Sequence, residues 1–123
     1  MLIVGARKRI ARALEPHIEG DETLRVSSFT YVMGKGDYVI GLTDRRLIMV
    51  EVGKLSSRPT GKTDNEDLAT MVANPNFTRP IYLEHFSSKI LTFTRSSGEV
   101  WKLRFDTPFW ADAEQIRQAL TPE

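Results

Sequence analysis

Three clusters in this 123-residue chain have residue types and spacings that could hold an anion. Arg45 and Arg46 stand side by side in "VIGLTDRRLIMV" (39–50), between two apolar runs. Adjacent guanidinium groups can clamp a carboxylate or phosphate through forked N–H donors. Arg7, Lys8, Arg9 and Arg12 crowd into "GARKRIARAL" (5–14), and residues 1–14 contain no acid, a local charge of +4. On a helix, these four could meet an anionic membrane surface, each contributing about 1 kcal/mol. Lys35 lies between two glycines in "GKGD" (34–37), without the strand-to-helix context that a nucleotide loop requires.

Each cluster also has a structural explanation. Asp44 suits a two-residue turn, where its carboxylate can accept from the backbone N–H two residues on. With the turn at Asp44-Arg45, Leu42 pairs with Leu47, Ile40 with Met49 and Tyr38 with Glu51. Both faces of that hairpin are apolar, so both should be covered, as in a barrel wall with a helix against its outside. The basic segment falls in a helix predicted over 3–18, whose apolar stripe Ile3, Ile10, Leu14 and Ile18 is expected to pack on the chain's own barrel or on a neighbouring subunit.

Other chemistries find little support. His17 and His85 have no partner at i+4, and Asp64-Asn65-Glu66-Asp67 lacks the glycine and spacing of a calcium loop, so neither metal nor cofactor is expected. Serines occur in pairs at turn-like positions with no Gly-x-Ser-x-Gly, and the chain reads as non-enzymatic. Zero cysteines exclude disulfides and thiolate sites and agree with a cytoplasmic setting. A net charge of +1, from 17 basic and 16 acidic residues, argues against nucleic acid as a partner. No run approaches the ~20 apolar residues of a membrane span, and the N-terminus lacks the charge-then-apolar order of a signal peptide.

The elements follow from periodicity. "TLRVSSFTYV" (23–32) suits a strand with a change of parity at Ser27-Ser28 that suggests a bulge or a bend. Gly34 and Gly36 form a hairpin loop, and residues 38–43 and 46–52 form the next two strands. Residues 53–80 read as irregular, with a helix at about 64–73 started by a capping box of Thr63 and Glu66. A short strand is expected at 80–83, and "KILTFTR" and "EVWKLRF" alternate around a Ser-Ser-Gly turn. Phe109, Ala113, Ile116 and Leu120, spaced four, three and four, predict a closing helix over 110–120.

"GDETLRVSSFTYV", "GLTDRRLIMV" and "ILTFTRSSGEVWKLRF" with "ADAEQIRQAL" together resemble the first strand, central hairpin, last hairpin and closing helix of bacterial pleckstrin-homology-like domains. The resemblance covers roughly 20–52 and 80–120. It implies a curved, seven-stranded antiparallel sheet or partly open barrel capped by the C-terminal helix. Residues 1–19 then form an added amphipathic helix, and 20–123 a domain with an insertion at 53–80. In that family, basic residues at the first hairpin loop hold phosphoinositide head groups. Only Lys35 matches here, and that function is not carried over. The expectation is a cytoplasmic, non-catalytic module that binds a protein partner or a second copy of itself. The alternative is weak anionic-lipid binding through Arg7, Lys8, Arg9, Arg12 and Lys35. Arg45 and Arg46 are the candidate contacts at the corner.

Overall fold

The computed structural model describes residues 5–54, 56–73, 81–85 and 88–120, with only the backbone of 81–85. The chain runs α1 (Ala6–Leu14), a 3-10 turn (Glu15–His17), β1 (Leu24–Val32), β2 (Gly36–Thr43), β3 (Arg46–Val52), β4 (Pro59–Asp67) and α2 (Leu68–Ala73). It continues through β5 (Ile81–His85), β6 (Ser88–Thr94), β7 (Val100–Asp106), a second 3-10 turn (Thr107–Phe109) and α3 (Trp110–Ala119). The seven strands form one antiparallel sheet in the order β4-β3-β2-β1-β7-β6-β5, with β4 and β5 at its edges. The fold is therefore mainly β, a curved open sheet with a helix at each end of the chain.

The central hairpin has the expected register: Leu42 pairs with Leu47, Ile40 with Met49 and Tyr38 with Glu51. Both of its faces are buried, for two different reasons. Ile40, Leu42, Leu47 and Met49 share the main core with Leu91, Phe93, Trp101, Leu103 and Phe105. The stripe Phe109, Ala113, Ile116 and Leu120 closes this core, with α3 packed on β1, β6 and β7. The opposite face carries Val39, Gly41, Ile48 and Val50, and α1 lies across it. Ala6, Ile10, Ala13 and Leu14 are buried there. A Cβ on Gly41 would sit 2.9 Å from a Leu14 methyl, so the missing side chain is what lets the helix approach.

Four sequence expectations need correction. The N-terminal helix is shorter than 3–18: it spans Ala6–Leu14, and Pro16 enters the 3-10 turn that follows. Ile18 is half-buried, while Ile3 lies outside the described residues. The register shift in β1 falls between Leu24 and Val26, not at Ser27-Ser28. The apparent change of parity arises because β1 is covered on both faces, with Ser28, Thr30 and Val32 on one and Phe29 under α1 on the other.

The largest correction lies in 53–80. Thr63 and Asp64 do not start a helix; they pair with Val50 and Met49 inside the nine-residue strand β4. Only Glu66 of that strand is buried, because an edge strand held by backbone pairing to β3 needs no apolar alternation. The helix begins at Leu68, and its cap is Asp67, whose Oδ1 accepts from the Thr70 N–H at 3.0 Å. Residues 74–80 lie outside the described residues, and the strand expected at 80–83 is described over Ile81–His85, two residues longer at its end.

Candidate functional site

At the β2–β3 corner, the turn is organised by Thr43 and not by Asp44. The Thr43 hydroxyl oxygen accepts from the N–H groups of Arg45 and Arg46, at 3.1 and 3.0 Å, and donates to Glu22 Oε2 at 2.8 Å. Asp44 instead accepts from the Thr23 N–H at 3.1 Å, tying the corner to the start of β1. Arg46 forks onto Glu22, with Nε to Oε2 at 2.8 Å and Nη2 to Oε1 at 2.7 Å, and Nη2 also donates to the His17 carbonyl. Arg45 pairs with Asp21 at 2.6 Å. The Glu22 side chain is 1% exposed, and the Arg46 fork pulls its carboxyl down to about 2 against the cost of burial. Both guanidinium groups at this corner are thus occupied by the chain's own acids.

The basic helix divides its cations. Arg7 reaches Asp112 on α3 at 2.5 Å and the Ser27 carbonyl at 2.8 Å, and lies over the Phe109 ring. It explains why a charged residue interrupts the apolar stripe: the side chain links α1 to α3. Lys8 is exposed beside Pro108. Arg9 and Arg12 face the loop between β3 and β4, where they meet Ser56, Ser57 and Arg58 around a cavity of about 200 Å³. The described apolar residues of this helix, Ala6, Ile10, Ala13 and Leu14, are covered by the sheet, which leaves its charges rather than these side chains for any surface.

Lys35 stands at the tip of the first hairpin, whose two glycines take positive φ values of 84° and 131°. It pairs with Glu99 at 3.5 Å and lies 5.4 Å from the centre of the Trp101 ring. Glu99 is held low by a hydrogen bond from the Trp101 indole N–H and by Lys35. Lys35 also borders a cleft of about 650 Å³. Lys54 and Arg104 add two further cations to its wall, and Asp37, Glu51 and Asp106 add three carboxylates. Tyr31 lies in the same wall with the Arg104 guanidinium 4.7 Å above its ring. Thr30 donates to the Arg104 carbonyl at 2.9 Å, and Glu51 accepts from Thr60 at 2.7 Å, so the walls are fixed by internal hydrogen bonds. Among the described residues no histidine, cysteine or serine lines this cleft, and the groups present suit recognition through ion pairs and ring contacts.

The seven sequence candidates therefore fall in separate places. The structure joins Arg45 with Arg46, and Arg9 with Arg12, while Arg7 and Lys35 each have a separate carboxylate partner. Sequence reasoning missed Arg58, Lys54, Arg104, Asp37, Glu51 and Asp106. The one signal available was the alternation of β7, which sets Arg104 outward. His85 is in β5, but its side chain and its pairing with Glu84 lie outside the described residues. Among the described residues no group of His, Asp or Glu has metal-binding geometry, and no helix is long and apolar enough to cross a membrane. No family model, no curated protein and no solved structure matches the chain.

Proposed function

We propose that this chain is a cytoplasmic, non-catalytic, pleckstrin-homology-like binding module that takes a protein partner in the cleft between the first hairpin and β7. The observation that carries this reading is the balance of charge around the cleft: Lys35, Lys54 and Arg104 against Asp37, Glu51 and Asp106. A polyanionic head group would meet three carboxylates there, whereas a peptide segment with both signs of charge can pair with each wall. Tyr31 and Phe109 add aromatic surface between the charges.

A photo-crosslinking amino acid at Lys54, introduced into the protein in its own cell, tests the reading. One discrete protein adduct is expected, together with its loss when Arg104→Glu reverses one wall. A smear of adducts, or an adduct unchanged by Arg104→Glu, overturns it. Light scattering over a dilution series identifies the adduct as a second copy if the mass doubles with concentration, and as another protein if it does not.

A further inference from the structure

We infer that the partner docks as an amphipathic α-helix of another protein, laid across the sheet beside α1. The inference rests on the reading of the cleft as a protein-binding site and goes beyond it by naming the form of the partner. The floor belongs to the outer face of the sheet, where Asp37 alternates with Val39 and Gly41, and Gly41 is the point at which Leu14 of α1 approaches. Register fixes the first rung of this floor: Asp37 on β2 pairs with Tyr31 on β1, and Tyr31 pairs with Arg104 on β7. Met33 and Lys102 make the second rung, where the Met33 N–H donates to the Lys102 carbonyl at 3.0 Å. Val100 shares the outward face of β7 with Lys102 and Arg104.

Three observations select a helix. Backbone pairing is closed to a guest at this level, because β3, β2, β1 and β7 are all inner strands of the sheet. An extended segment finds no free edge there, and recognition falls to side chains. Apolar surface is also present: Met33 and Val100 are 46% and 55% exposed, two of the three large apolar side chains left in solvent among the described residues. Finally, charge is sorted across the rungs, with Asp37 toward β3 and with Arg104 and Lys102 on β7. Neither Asp37 nor Lys102 takes part in an ion pair among the described residues. Arg104 is steadied over the Tyr31 ring, and its pair with Asp106 is long, at 3.7 Å. A partner that offers a cation to one end, apolar groups to the middle and an acid to the other end complements this floor.

Strand spacing sets the pattern on the partner. Neighbouring strands lie about 4.8 Å apart, so Asp37 and Arg104 are about 10 Å apart with Tyr31 between them. A helix rises about 1.5 Å per residue, so these charges meet partner residues about seven positions apart. Residues about three and four positions along fall over Tyr31 and Met33 and are apolar. α1 shows the same face taking a helix in this way, with Ala6, Ile10, Ala13 and Leu14 buried against it. Packed helices lie about 8–10 Å apart, which is about three residues along a strand. That step carries a second helix axis from Phe29, under Arg9 of α1, to the rungs of Tyr31 and Met33. The apolar residues of α1 and α3 are buried in this chain's own core, so neither helix of a second copy can fill the site.

Photo-crosslinking amino acids placed in turn at Lys54, Met33 and Lys102 of the full chain, in its own cell, test the form of the partner. The captured residues are mapped by mass spectrometry. One segment of one other protein is expected, with the Lys54 and Lys102 adducts about nine or ten residues apart and the Met33 adduct between them. A spacing of about four residues marks an extended segment and overturns the helix, as do adducts scattered over unconnected segments or mapped to this chain itself. A discrete Lys54 adduct without adducts at Met33 and Lys102 overturns the helix but leaves the cleft as a protein-binding site. Absence of a discrete adduct at all three positions overturns both. A synthetic peptide of the captured segment then gives a measurement in solution. Asp37→Lys and Arg104→Glu should each weaken its binding to the full chain about tenfold, and Arg25→Gln should leave it unchanged. Proline at the midpoint of the peptide should weaken binding at least tenfold, and unchanged binding of that peptide overturns the helix.

Discussion

Glu22 shows how a residue chosen for chemistry can instead hold a corner. Its carboxylate is almost wholly covered and receives the Arg46 fork and the Thr43 hydroxyl together. Its carboxyl is thereby lowered from an ordinary 4.5 to about 2. A depressed folded-state value means that the stabilisation is present above about 4.5 and disappears as pH falls toward about 2. Urea unfolding of the native chain should therefore show a loss of stability across that window, and Glu22→Gln should flatten it. Arg46→Ala leaves the covered carboxylate without its fork and should cost about 2 kcal/mol at neutral pH. Arg46→Lys should fall between, since an ammonium cannot make two parallel bonds. None of this was legible in "TDRR": the acids that occupy Arg45 and Arg46 lie more than twenty residues away, and adjacency of two arginines says nothing about such partners.

The docking of α1 turns on Gly41. Gly41→Ala places a methyl group 2.9 to 3.0 Å from both Leu14 methyls, and Gly41→Val drives the helix further from the sheet. Overpacking of this kind costs about 1 to 3 kcal/mol. Leu14→Ala alone should cost about 2 to 5 kcal/mol, because it leaves a hole under the helix. Gly41→Ala combined with Leu14→Ala should cost less than the sum of the two, as the new methyl enters the vacated space; a strictly additive double variant would show that the two residues do not meet. The elements that could be read from sequence are those with a burial period. The central hairpin, the β6–β7 pair and α3 each bury one or both faces, and their apolar spacing records it. β4 could not be read because its residues, apart from Glu66, are exposed and its place is set by backbone pairing. The candidate cleft was equally hidden, since its charged walls come from the first hairpin, the end of β3 and β7, and no local spacing joins them.

The whole molecule is an open sheet closed by a side-chain latch. β4 and β6 are separated by four strands in the sheet order, yet Glu66 and Asp64 of β4 reach Arg95 at the end of β6. The sheet must therefore curl until these elements face each other. Backbone pairing does not seal the seam among the described residues; Arg95 does, with Nε 2.7 Å from Glu66 and Nη1 2.5 Å from Asp64. The Ser96 hydroxyl adds a bond to Glu66 at 2.8 Å, and the Arg95 guanidinium lies 5.0 Å from the Trp101 ring centre. Arg95 and Glu66 are only 8% and 5% exposed, so salt will screen this pair far less than a surface one. Arg95→Ala leaves Glu66 buried without a counter-charge and should cost about 3 to 5 kcal/mol, little changed by added salt. Hydrogen exchange should then accelerate in β4, which has lost its tie across the seam, more than in β2 and β3. Arg95→Met with Glu66→Leu replaces the charges by apolar groups and should recover most of the stability. A cost for Arg95→Ala below about 1 kcal/mol, in the range of surface pairs, would instead show that curvature and core packing hold the seam without the latch.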